Sequence, residues 1–189
     1  MTRSILDEEA DQLYGEALQV PEGGSIVEIG SYKGSSAYAL ALGAEGRNVK
    51  VYCIDTWMGS PGGLEEWGPK RGITEAGSFL PQFKENLKPF IEKGIIVPLE
   101  MSSAGALMVE PPLKPHLLFI DGSHVYEDVL FDMTYWWSRL QPGGMMGVHD
   151  STGDSSFHPQ VQRALKVFAA SHDLKGCILK GSTSWLKKP

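Results

Sequence analysis

The stretch S-I-V-E-I-G-S-Y-K-G-S-S, Ser25 to Ser36, limits what this chain can fold into. Ile26-Val27 and Ile29 form an apolar run that reads as a buried strand. Gly30 breaks the run, and Ala37, Leu40 and Ala41 follow at helical spacing. Strand, glycine turn and helix in direct succession form the unit from which an open parallel sheet is wound. The loop after such a strand presents backbone N–H groups and a helix N-terminus to a ligand. Gly30 allows both a sharp turn and close approach of a ligand. Glu28 is out of place in so apolar a strand, because a buried carboxylate is costly without a partner. Gly30 and Gly34 stand alone, so the pattern is E-x-G-x-x-x-G and not the dinucleotide fingerprint G-x-G-x-x-G.

The rest of the chain repeats the alternation. Residues 5–19 place Leu6, Ala10, Leu13, Tyr14, Ala17 and Leu18 on one helical face, ended by Pro21 and Gly23-Gly24. Further strands are expected at Val49–Ile54, Ile95–Val97, His116–Ile120 and Met145–Val148. Ser78 caps a helix expected to run to about residue 92, with Pro81 in its first turn. Ser102 or Ser103 caps a short helix before Pro111. A strong helix follows Asp121, with Tyr126, Val129, Leu130, Met133, Trp136, Trp137 and Leu140 on its apolar face. These aromatics fall at core spacing and receive no cofactor role. Val161, Leu165, Phe168 and Ala169 mark another amphipathic helix, and Leu174–Leu186 reads as a hairpin turning at Gly181-Ser182. The prediction is an α/β domain spanning 1–189: a doubly wound, mostly parallel, Rossmann-like sheet with an antiparallel strand from the C-terminal hairpin. Residues 58–77, rich in glycine and proline, are expected to be a lid loop.

Composition narrows the function. Formal net charge is −6 and no long Lys/Arg run occurs, so nucleic acid is a poor partner and a small molecule suits better. Cys53 and Cys177 both fall in apolar strand-like runs and read as buried free thiols. The start of the chain is polar and acidic, unlike a signal peptide, and no apolar run approaches the roughly 18 residues of a membrane span. A cytoplasmic protein is expected, with a homodimer as the commonest assembly.

Ligands of such sheets bind outside the carboxyl ends of the strands. The unusual polar residues of this chain collect there: Glu28 and Gly30, Asp55, Asp121 with His124, and His149 with Asp150. Singly, each reads as a solvated loop residue or a helix cap. Together on one edge they favour a site. Asp55, with Thr56 beside it, is placed to accept the ribose hydroxyls of a nucleoside, which suits a nicotinamide cofactor equally well.

The segments V-E-I-G-S-Y-K-G-S-S, Y-C-I-D-T-W, F-I-D-G-S-H and P-G-G-M-M-G-V-H-D occur in order over about residues 25–150. This set resembles the class I S-adenosylmethionine-dependent methyltransferases. The branch is that of macrolide-sugar O-methyltransferases and cephalosporin-hydroxylase-like proteins. The resemblance implies seven strands and S-adenosylmethionine as methyl donor. It sets Glu28, Gly30, Ser31 and Gly34 against the donor's amino-acid part, Asp55 and Thr56 at its ribose, and Ser102 or Ser103 near its adenine. Asp121 is shared between the cofactor site and a metal site completed by His149 and Asp150. His124 corresponds to the catalytic base. His149 stands where some members have a carboxylate, so Mn²⁺ suits the set as well as Mg²⁺. The implied reaction is methyl transfer to a hydroxyl of a small molecule such as a sugar or natural product. A nicotinamide-dependent oxidoreductase and a non-catalytic nucleoside-binding protein are the competing classes. The first lacks the glycine fingerprint, and the second has no need of acids on the fourth and fifth strands.

Overall fold

Ser25–Ile29 forms β1, buried from Ile26 onward. The computed structural model describes residues 7–59, 77–152, 158–174 and 177–189. In it β1 is the middle of a sheet with β2 (Lys50–Asp55), β3 (Ile96–Glu100), β4 (Leu117–Ile120), β5 (Met145–Val148), β6 (Ile178–Lys180) and β7 (Thr183–Lys187). The order is β3-β2-β1-β4-β5-β7-β6. β1 to β5 pair in parallel, while β7 runs antiparallel to both β5 and β6. The chain winds outward from β1 through β2 to β3, then returns to lay β4 on the other side of β1. The carboxyl ends of β1 and β4 therefore flank the switch point, where open α/β sheets hold their ligands.

Helices cover both faces. On one lie α1 (Asp7–Gln19), α2 (Ser35–Ala44), α3 (Leu80–Asn86) and α4 (Lys88–Glu92). On the other lie α5 (Ser103–Ala106), α6 (Tyr126–Arg139) and α7 (Pro159–Ser171). Strand alternation divides the core accordingly. Ile26, Cys53 and Phe119 pack with Leu13, Leu40 and Phe83, whereas Val27, Leu118 and Ile120 pack with Met133, Trp136 and Phe168. With both faces covered, the strands read as nearly unbroken apolar runs.

Four expectations need correction or limits. The helix from Ser78 breaks at Leu87 into α3 and α4, because Pro89 has no N–H for the carbonyl of Glu85. Tyr14 and Leu18 are exposed, and the buried row of α1 is Glu9, Leu13 and Ala17. The cause is close packing on α2: a Cβ at Gly43 would lie 2.6 Å from that of Ala17. Cys53 is buried, but Cys177 is exposed beside β6, the edge strand of the sheet among the described residues. Residues 60–76, most of the expected lid, and 153–157 lie outside the described residues. Among the described residues, no helix is long and apolar enough to cross a membrane.

Candidate active site

The backbone ladder carries one residue past each strand end. Gly30 N–H donates to the Ile54 carbonyl at 2.9 Å, Asp121 N–H to Ile29 at 2.8 Å, and His149 N–H to Ile120 at 2.9 Å. Gly30, Asp121 and His149 are thereby fixed side by side on one edge by the sheet itself. Gly30 has φ +86°, and a Cβ there would sit 2.1 Å from the Asp121 carbonyl oxygen. Glycine is needed first for the junction of β1 with β4. Gly34, at φ +91°, begins α2 where a Cβ would meet Leu87 at 2.4 Å.

Glu28 and Ser31 are buried beneath this loop. The Ser31 hydroxyl donates to Glu28 Oε2, while Oε1 has no hydrogen-bond partner. Burial pushes the Glu28 carboxyl up to about 7, against the opposing influence of Ser31, Ser36 and Cys53. In this arrangement Glu28 holds the loop from below. Asp55 holds it from the side: Oδ2 accepts the Tyr32 N–H at 2.8 Å and Oδ1 the Trp57 N–H at 2.7 Å. Tyr32 and Trp57 both have positive φ, and the Trp57 indole N–H returns a bond to the Tyr32 carbonyl at 2.8 Å. Asp55 thus joins the loops after β1 and β2, with lone pairs left on both oxygens. Thr56 is exposed next to it. Ser102 caps α5 by accepting the Gly105 N–H at 3.0 Å. Ser103 faces Asp132 on α6, whose carboxyl is raised by burial to about 6 against the bond from Ser103.

The acids and histidines after β4 and β5 converge. His149 Nδ1 lies 3.1 Å from Asp121 Oδ1 and 3.3 Å from Asp150 Oδ2. One ligand atom from each of Asp121, His149 and Asp150 can be chosen so that all lie within 4.8 Å of one another. Nδ1 is buried yet makes no hydrogen bond of acceptable angle to either carboxylate. Two carboxylate oxygens so close to one buried ring nitrogen form a donor set that could hold a cation. Burial opposes a proton on His149, but Asp121, Asp150 and Glu9 outweigh it and push the imidazole up to about 12. A cation bound here would replace that proton. Asp150, held at φ +52°, also accepts from His124 Nε2 at 3.0 Å. Burial raises its carboxyl, but His124, His149 and His158 hold it well below the usual carboxylate range.

Capping, the ordinary alternative for these residues, is not what they do. The N-cap of α6 is Val125 and that of α7 is His158, neither with a side-chain cap bond. Ser123 instead accepts the Val125 N–H at 3.1 Å.

Three members of the site were not anticipated. His158 stacks on His124 with centroids 4.1 Å apart and approaches Asp150 Oδ2 at 3.7 Å. Glu9 Oε1 lies 3.4 Å from His149 Nε2. Ser182 Oγ donates to Glu9 Oε1 and lies 2.9 Å from the same ring nitrogen. The only signal available for Glu9 was its i, i+4 spacing to Leu13 and Ala17. A separate cavity of about 350 Å³ lies between α7 and the C-terminal hairpin, but no carboxylate or histidine is among its described lining residues.

A family model described as a methyltransferase domain matches residues 27–151. The fold is similar to that of the O-methyltransferase NovP, with TM-score 0.69, 18% identity, and 96% of this chain and 79% of that chain covered. It is similar to cofactor-bound Rv0187 from MTB, with TM-score 0.71, 15% identity, and 100% and 82% covered. An O-methyltransferase from Bacillus cereus in complex with SAH matches with TM-score 0.68, 13% identity, and 100% and 84% covered.

Proposed function

The chain belongs to the methyltransferase domain family, and on that premise we propose that it moves a methyl group from S-adenosylmethionine to a hydroxyl of a small molecule, assisted by a divalent cation. The observation that carries this reading is the convergence of Asp121, His149, Asp150 and His124 beside the Gly30 loop. The likeness to SAH-bound and O-methyltransferase structures supports the donor and the acceptor class.

S-adenosylmethionine would supply an electrophilic methyl, and a cation on Asp121, His149 and Asp150 would lower the pKa of the acceptor hydroxyl. The chain's own residues then have defined tasks. Glu28 and Asp55 fix the loop against which the donor lies. Asp150 is ionised and can only accept, so His124 Nε2 carries a proton toward it at 3.0 Å. In neutral His124 the lone pair is therefore on Nδ1, and this side chain is 45% exposed, open to an acceptor. Nδ1 would take the hydroxyl proton and so free the acceptor oxygen's electron pair; the donor, when bound, would supply the methyl and keep the carbon–sulfur electron pair. The remaining contribution is alignment of oxygen, methyl and sulfur.

Release of S-adenosylhomocysteine tests the proposal. The purified protein is incubated with S-adenosylmethionine and a panel of sugars, phenols and polyols, with Mg²⁺ or Mn²⁺ and after exhaustive chelation. Acceptor-dependent release, lost on chelation and restored by the ion, is expected. Release that is indifferent to chelation would remove the cation from the account. NAD(P)-dependent oxidation of the same panel would replace the account altogether.

A further inference from the structure

Three carboxylates surround His149, and only two of them lie on the Nδ1 side. The third, Glu9, comes from α1 and reaches the opposite ring nitrogen. A carboxylate can only accept, so the Ser182 proton points to Glu9 Oε1. The Ser182 oxygen is then left to accept at 2.9 Å from His149 Nε2–H. With Glu9 ionised, one proton lies on each step from His149 Nε2 through Ser182 Oγ to Glu9 Oε1. This sets the proton of neutral His149 on Nε2 and leaves the Nδ1 lone pair facing Asp121 and Asp150.

We propose that Glu9 and Ser182 are positioning residues that hold His149 as an Nδ1 ligand for the cation. The inference rests on the cation reading given above. A carboxylate behind a ligating imidazole raises its basicity and fixes its ring orientation. It also explains why α1 buries an acid in its apolar row. Glu9 is 7% exposed, where an alanine or leucine would pack without desolvating a charge. Position 149 carries imidazole, so the site needs an outer acceptor that a carboxylate ligand would not. A nitrogen donor in the set favours first-row ions over Mg²⁺. The arrangement ties α1 and the β6–β7 turn, at the two ends of the described chain, to the centre of the site.

The test is Mn²⁺ affinity, read by electron paramagnetic resonance of the free ion without any turnover. The proteins are the parent, Glu9→Ala, Glu9→Gln and Ser182→Ala, each also in a His149→Asp background, with circular dichroism to confirm folding. Ser182 sits on a turn and its truncation is the milder change. In the parent background, Glu9→Ala and Ser182→Ala should each weaken Mn²⁺ binding roughly 10- to 100-fold. Glu9→Gln, which keeps an acceptor oxygen, should fall between parent and alanine. With aspartate at 149 the same changes should leave Mn²⁺ binding equal or improve it, because no Nε2–H remains to be accepted. Equal losses in both backgrounds, or no loss in either, would overturn the positioning role. A parent protein with no Mn²⁺ affinity would instead overturn the cation itself.

Discussion

Replacing Glu28 by glutamine should make the protein's stability less dependent on pH, by an amount that follows from burial. Glu28 has no exposed surface, and its carboxyl rises from an ordinary 4.5 to about 7. A folded-state pKa above the unfolded value means that the native protein holds the proton more tightly. The associated stability is complete below about 4.5 and is lost as pH rises through about 7. Integrating the two titrations between pH 5 and pH 8 gives a loss of about 2.5 kcal/mol from this group in the parent. Glutamine keeps an oxygen for the Ser31 hydroxyl and has no charge to bury. The stability of the variant minus that of the parent should therefore grow by about 2.5 kcal/mol from pH 5 to pH 8. Urea unfolding of both proteins at each pH measures that difference, and groups unaffected by the substitution cancel. A difference that does not change with pH would show that Glu28 titrates as an exposed carboxyl does, and the account of the loop's support would fail.

His124→Asn should keep the fold and donor binding while lowering turnover roughly 10²-fold or more, measured by S-adenosylhomocysteine release. Parent-rate turnover would place the base elsewhere. Asp55→Asn turns an amide N–H toward one of two backbone N–H groups, so it should cost about 2 kcal/mol in urea unfolding and weaken donor affinity in parallel. Gly30→Ala forces a side chain into positive φ and onto the Asp121 carbonyl. It should destabilise the protein by more than about 2 kcal/mol in the same assay, and an unchanged midpoint would refute the packing described for the β1–β4 junction.

Much of this architecture was readable because it is local. The β1 turn and helix, the alternation of strands and helices, and the apolar faces of α6 and α7 depend on residues a few positions apart. The strand-end acids were visible for the same reason: each directly follows its own apolar run. Glu9, Ser182 and His158 were not visible, because their roles arise from pairings across the chain. Glu9 meets Ser182 at a separation of 173 residues. Glu9 shares the i, i+4 row of Leu13 and Ala17, but spacing alone does not say what a carboxylate in that row would meet. Asp55 was read as a ribose acceptor, and its two bonds to the Tyr32 and Trp57 amides depend on two positive-φ residues that spacing does not announce. Cys177 was misplaced because an apolar run does not reveal that it lies beside an edge strand.

Calorimetric titration of the protein with S-adenosylhomocysteine, alongside NAD and NADP, decides which cofactor class the switch point takes. The loop braced by Glu28 and Asp55 at the switch point should bind S-adenosylhomocysteine saturably at one site per chain. Neither nicotinamide nucleotide should give comparable heat. Saturable NAD or NADP binding with none for S-adenosylhomocysteine would contradict the account.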